Sequence, residues 1–173
     1  MNAGREELTM QTIIRDMRPE EYPLLETFLY EAIFQRDPAN LLPRDVIYRP
    51  ELYVYIDEFG TKPDDRCLCA ERDGRVIGAV WTRIIPAYGH VDDATPEFAI
   101  SRLPEARGRG VGTALMRAML NRLRQDGYAR TSLAVQKDNY ALRMYRNVGF
   151  RTVDENEEEY IMICDLAEGA TNA

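Results

Sequence analysis

The sequence predicts an α/β (α+β) fold: a mixed, mostly antiparallel central sheet flanked by helices. Three observations carry that reading. Strand-like runs outnumber helical runs along the chain. Asp73-Gly74 stands between two such runs, which is a hairpin signal. Gly108, Gly110 and Gly112 sit where an extended run turns into a helical one. Hairpins pair strands antiparallel, and the helical crossovers allow one or two parallel neighbours.

The elements follow in order. Thr12 to Met17 alternates weakly and is a first strand. Arg18-Pro19-Glu20-Glu21 opens a helix, with proline and carboxylates in its first turn. Leu24, Leu25, Phe28, Leu29, Ala32 and Ile33 form its apolar face. Pro38 and Pro43 mark a loop, and a less regular helical segment spans Arg44 to Phe59, broken near Pro50. Its Tyr48, Tyr53 and Tyr55 read as core or rim residues. Arg66 to Glu71 and Arg75 to Ile84 are the hairpin strands, and Trp81 is read as core. Pro86 to Pro96 is a loop holding Tyr88, His90, Asp92 and Asp93. Phe98 to Leu103 is the strand before the glycines. The helix from Gly110 ends near Gly127. Thr131 to Val135 is a short buried strand. Asp138 or Asn139 caps a helix running to Val148 and closed by Gly149. Phe150 to Val153 and Tyr160 to Cys164 pair around an acidic loop.

A chain of 173 residues predicts one domain over 1–173, with flexible ends at 1–10 and 167–173. No run is long or apolar enough to cross a membrane, and residues 1–10 carry no leader pattern. Cys67, Cys69 and Cys164 are an odd number, and Cys67-Leu68-Cys69 has strand alternation, not zinc-site spacing. Reduced thiols, a cytoplasmic location and no metal are expected. The net charge of −7 argues against nucleic acid as a partner. The charge is unevenly spread: residues 101–151 carry a net +8 and the remainder −15. A basic half suits a polyanionic cofactor and an acidic half a cationic second substrate, beside the plainer reading of solvated surface charge.

The stretch Arg107-Gly108-Arg109-Gly110-Val111-Gly112-Thr113 carries the chemistry. Glycines allow a sharp bend and close approach of another molecule. The first helical turn leaves N–H groups without partners, and with the dipole they favour an anion. Arg107 and Arg109 add positive charge. A phosphate cradle and a glycine-capped turn are both open readings. A Walker A loop is excluded, because Thr113-Ala114 follows the last glycine. A dinucleotide fingerprint is excluded by glycine spacing, and by Arg130 where an acid would stand.

The pattern Arg107-x-x-Gly110-x-Gly112 instead resembles the acetyl-coenzyme A loop of the GNAT superfamily of N-acetyltransferases. A second stretch supports it: Val135-Gln136-Lys137-Asp138-Asn139-Tyr140-Ala141, continuing through Met144-Tyr145 to Val148-Gly149-Phe150. The resemblance is firmest from Glu97 to Phe150, and the first half of the chain matches in outline only. It implies that acetyl-coenzyme A is the co-substrate. The loop amides from Arg107 to Thr113 would hold its pyrophosphate. The main chain of Ile100, Arg102 and Leu103 would pair with its pantetheine arm. Arg102 departs from the family's usual aliphatic residue two before the proline, and a bulge there would shift the alternation. Asn139 matches a cofactor-contacting asparagine and equally a helix cap. Tyr145 matches the general acid that protonates the leaving thiolate, against a core tyrosine. Glu97 matches the base, often acting through water, against a surface carboxylate. With one histidine, His90, a covalent nucleophile pathway is disfavoured.

The implied function is direct acetyl transfer to a primary amine on a cationic small molecule or peptide, by a monomer or homodimer. The alternatives are a coenzyme A-binding sensor or scaffold, another acyl-coenzyme A, or an O-linked acceptor. Asp92, Asp93 and the acidic run Asp154 to Glu159 are expected to rim the acceptor entrance.

Overall fold

A computed structural model describes residues 11–167. The expected flexible ends lie outside that range, except Ala167, which is an exposed bend. Seven strands form one sheet in the order β1-β2-β3-β4-β5-β7-β6. They are β1 Ile13–Asp16, β2 Arg66–Arg72, β3 Arg75–Arg83, β4 Glu97–Arg102, β5 Arg130–Gln136, β6 Arg151–Glu155 and β7 Glu159–Asp165. Every pair is antiparallel except β4 with β5. Asp73 and Gly74 both adopt positive φ, as the two-residue hairpin between β2 and β3 requires.

Strand alternation divides the core in two. Leu68, Ala70, Val80 and Phe98 point to one face, where they pack with Leu115, Met116, Met119 and Leu123. These last four belong to α3, Val111–Gln125, which lies over β2 to β4. Cys67, Cys69, Ala79 and Trp81 point to the other face, against Leu25, Phe28 and Leu29. These three belong to α1, Leu25–Ala32. The three cysteines are free and buried. Among the described residues no helix is long and apolar enough to cross a membrane.

Three helical expectations change. The segment opening at Pro19 is a 3-10 helix up to Leu24, and only then becomes α1, because Pro23 interrupts its hydrogen bonding. Arg44 to Phe59 is no continuous helix. It is a 3-10 turn, Arg44–Tyr48, then one α turn, α2 Pro50–Tyr53, then further turns. Proline at position 50 restarts the segment instead of kinking it. The last helix, α4, runs Leu142–Val148 and begins later than Asn139. Asn139 uses its Oδ1 to accept the Ala141 amide at 2.9 Å, which makes the turn that precedes α4. The acidic loop is also shorter than expected, since β6 reaches Glu155 and β7 starts at Glu159.

A buried ion pair holds the irregular segment to the sheet. Arg83 at the end of β3 and Asp65 each keep about 1% of their side-chain surface exposed, at 2.8 Å. Arg83 also donates to the carbonyls of Val54 and Asp57, and Trp81 Nε1 donates to that of Tyr55. The turns around Tyr55 are therefore set by β3 and not by their own helical content. Removing one partner leaves a charge buried and unpaired. Asp65→Ala is expected to cost about 3–5 kcal/mol of unfolding free energy in a denaturant titration.

Candidate active site

β4 and β5 run parallel yet pair at a single position, Glu97 opposite Ser132. The Ser132 amide donates to Pro96 there at 3.0 Å. Beyond it the two strands separate. The β3–β4 register runs unbroken from Arg83 opposite Glu97 to Gly78 opposite Arg102, so the expected bulge at Arg102 is absent. The Leu103 amide donates to Ile77 on β3, and the Leu103 carbonyl accepts from Ala106. Leu103 is thus not free to pair with a ligand. Antiparallel bonding alternates along a strand. With Leu103 turned to β3, Ile100 and Arg102 turn their main-chain groups to the gap.

Two cavities adjoin the gap. One of about 450 Å³ is lined by Glu31, Arg44, Arg102, Arg107 and Met144, among others. The other, about 330 Å³, is lined by Tyr55, Tyr88, Glu97, Glu158 and Glu159 with apolar neighbours. Ile33, Phe34, Asn139 and Tyr145 line both, so the two cavities meet at Tyr145. A bidentate pair between Arg36 and Asp138 ties the segment after α1 to the segment after β5.

The glycine loop has the features of an anion cradle. Gly108 and Gly110 sit at φ +76° and +75°, which side chains rarely adopt. A Cβ at either would meet no protein atom within 4 Å, so their outer faces are open. Gly110 is the N-cap of α3 and supplies no side-chain acceptor, and the first turn holds no carboxylate. The first intrahelical bond is from Ala114 to Gly110, at 3.0 Å. The amides of Val111, Gly112 and Thr113 are left for an external acceptor. Gly112 differs, because the protein itself lies against it. A Cβ there would come within 2.8 Å of the Arg102 guanidinium. Arg107 lies 3.7 Å from Glu31 and is half exposed. Arg109 is exposed. Val111 is buried and serves the core as well as the loop.

Glu97 is no surface carboxylate, since it is 3% exposed. Tyr55 donates its hydroxyl to Oε2, and Oε1 has no partner among the described residues. Burial pushes the Glu97 pKa up to about 7, against the Tyr55 hydrogen bond, the Gly89 amide and the nearby His90, which favour the ionised form. Tyr145 packs its ring edge-on to Phe150 with centroids 6.1 Å apart. Its hydroxyl makes no hydrogen bond among the described residues, and burial raises its pKa to about 12. Asn139 spends its carbonyl oxygen on the local turn. Asp92 pairs with Arg130 and does not line either cavity, so only Glu158 and Glu159 of the expected acidic rim do. His90 is bound to the Ile85 carbonyl and approaches Asp93.

Tyr55 is the residue that sequence reasoning missed. It is 42 positions from its partner and sits in a segment of poor periodicity. No local signal connects the two.

The buried carboxyl leaves a signature in stability. Its folded pKa lies above that of an exposed glutamate, so ionising it opposes folding. Stability is full below about pH 4.5 and falls as pH rises through about 7. Glu97→Gln retains an acceptor for Tyr55 and removes that penalty. The variant is expected to gain on the order of 2–3 kcal/mol above about pH 8 and nothing near pH 4, read from urea unfolding at both pH values.

The geometry agrees with known proteins. The profile of the Acetyltransferase (GNAT) family matches residues 14–150. A mycothiol acetyltransferase of Saccharomonospora viridis is 37% identical over 91 residues, which cover 50% of this chain and 30% of that protein. The chain thus spans about a third of the length of such curated relatives. The PaiA N-acetyltransferase of Thermoplasma acidophilum, solved in complex with coenzyme A, superposes with a TM-score of 0.67 at 20% identity, covering 90% of this chain and 99% of that one. YncA of Salmonella typhimurium, a putative acetyltransferase solved with acetyl-CoA, gives a TM-score of 0.63 at 17% identity, covering 94% and 98%. The splayed strands, the uncapped helix behind a glycine loop and the matching profile lead to one conclusion: the chain belongs to the GNAT family of acetyltransferases.

Proposed function

We propose that this protein transfers an acetyl group from acetyl-coenzyme A directly to a primary amine of a cationic small molecule or peptide in the cytoplasm. The observation that carries the reading is that Glu97 and Tyr145 line one cavity, which Tyr145 shares with the cavity beside the glycine loop. Among the described residues, Glu97 offers a buried carboxylate oxygen without a partner, and the Tyr145 hydroxyl makes no hydrogen bond. The solved relatives with coenzyme A or acetyl-CoA support the choice of co-substrate.

Acetyl-coenzyme A supplies an acetyl group activated as a thioester. The amides of Val111, Gly112 and Thr113, with Arg107 and Arg109, are suited to its diphosphate. The main chain of Ile100 and Arg102 is suited to its pantetheine arm. In the transfer a C–N bond forms and a C–S bond breaks. Glu97 takes the proton that the amine nitrogen loses, directly or through water. Tyr145 gives a proton to the departing sulfur. The two groups are poised for opposite tasks. Glu97 ionises as pH rises through about 7, so kcat/KM for the acceptor should climb over that range. Tyr145 stays protonated well above it.

The deciding experiment is thiol release from acetyl-coenzyme A with a panel of amines. A domain that only holds coenzyme A would bind it and release none. Two substitutions separate holding from chemistry. Gly110→Val forces a side chain into positive φ, at a cost to folding of about 1–2 kcal/mol. It also fills the open face of the cradle. Coenzyme A affinity in calorimetry should fall by about tenfold or more, while the variant stays folded. Tyr145→Phe should keep coenzyme A affinity and lower kcat by about 100- to 10,000-fold. An unchanged kcat would make Tyr145 a packing residue only.

A further inference from the structure

The acceptor-side cavity holds more negative charge than a single amine needs. Glu97 lies at one end, and Glu158 and Glu159 line the wall contributed by the final hairpin. The Glu97 Oε1 is buried without a partner among the described residues. Glu158 and Glu159 enter no salt bridge among the described residues. The neighbouring cations Arg36 and Lys137 are paired to Asp138 and Glu155. Glu159 is half-buried, and its pKa is raised first by burial and then by Glu158. Its charge reaches both Glu97 and Tyr88. Such a group is costly unless a cation offsets it.

Strand register sets the spacing. Glu97 pairs with Ser132, and Glu159 pairs with Gln136 four residues further along β5. At about 3.3 Å per residue the two levels lie ~13 Å apart. Between the carboxylates the walls are Leu29, Ile33, Tyr55 and Tyr88. Apolar and aromatic walls suit a methylene chain, and ring faces also attract ammonium groups.

We infer that the acceptor is an alkyl diamine, whose reacting nitrogen meets Glu97 while its far ammonium group is held by Glu158 and Glu159. This rests on the acetyl-transfer reading and adds a second charge at the far side of the same cavity.

The test compares n-butylamine with 1,4-diaminobutane, and n-hexylamine with 1,6-diaminohexane, by thiol release from acetyl-coenzyme A at fixed salt. The diamines should exceed their monoamines in kcat/KM by about tenfold, beyond the statistical advantage of two reactive ends. In the double variant Glu158→Gln, Glu159→Gln that ratio should collapse toward the statistical value. Equal use of the two series, or a ratio that survives in the double variant, overturns the inference and leaves acetyl transfer to amines standing. If neither series releases thiol while coenzyme A binds in calorimetry, both the inference and the reading beneath it fall.

Discussion

One missing ladder shapes this protein. β4 and β5 are neighbours in the sheet, yet they share a single pairing position at Glu97 and Ser132. A parallel pair would otherwise bury its edge groups against each other, because unpaired backbone donors and acceptors are costly away from water. Here the strands part, and the main chain of Ile100 and Arg102 faces the gap. The cavities, Tyr145 between them and the glycine loop at the end of β4 all follow from that divergence. A continuous β4–β5 ladder would leave a well-formed sheet with no place for an extended ligand arm.

A second constraint holds the Glu97 carboxyl. Arg83 and Asp65 are buried together, and Arg83 also binds the carbonyls of Val54 and Asp57. A buried ion pair adds little net stability, but it disfavours any arrangement that leaves either charge alone. The consequence is a fixed position for Tyr55, which the Trp81 ring nitrogen reinforces. Tyr55 in turn occupies one oxygen of Glu97 and leaves the other to the cavity. The route from β3 to the cavity starts at Arg83 and Trp81, which line neither cavity, and reaches it through Tyr55.

Electrostatics divides along the same gap. The α3 N-terminus, Arg102 and Arg107 stand where an anion would lie, and no carboxylate occupies the first turn of α3. Glu97, Glu158 and Glu159 stand on the other side. In the proposed reaction, opposite potentials on the two sides would draw unlike substrates to a common meeting point. Arg102 is part of this division. It stands where the family resemblance leads one to expect an aliphatic residue, and its guanidinium lies against Gly112.

The sequence by itself determined the sheet-and-helix class, the β2–β3 hairpin, the α3 start at Gly110 and the alternation of Cys67, Leu68 and Cys69. These are local matters of period, turn chemistry and glycine geometry, and they are written in neighbouring residues. It also singled out Glu97 and Tyr145, through motifs that span a few positions each. The tertiary structure decided what depends on distant residues. Glu97 is a buried group and not a strand-end charge, in a setting where Tyr55, 42 residues away, donates to its carboxylate. Asp92 left the acceptor rim because Arg130 was within reach. Leu103 lost its main-chain role to Ile77 and Ala106. The segment from Arg44 to Phe59 has weak periodicity, so its path was set by the buried Arg83 charge and not by helix propensity. Burial and pairing between remote positions have no local signature, and they are what turned a list of residue types into a site.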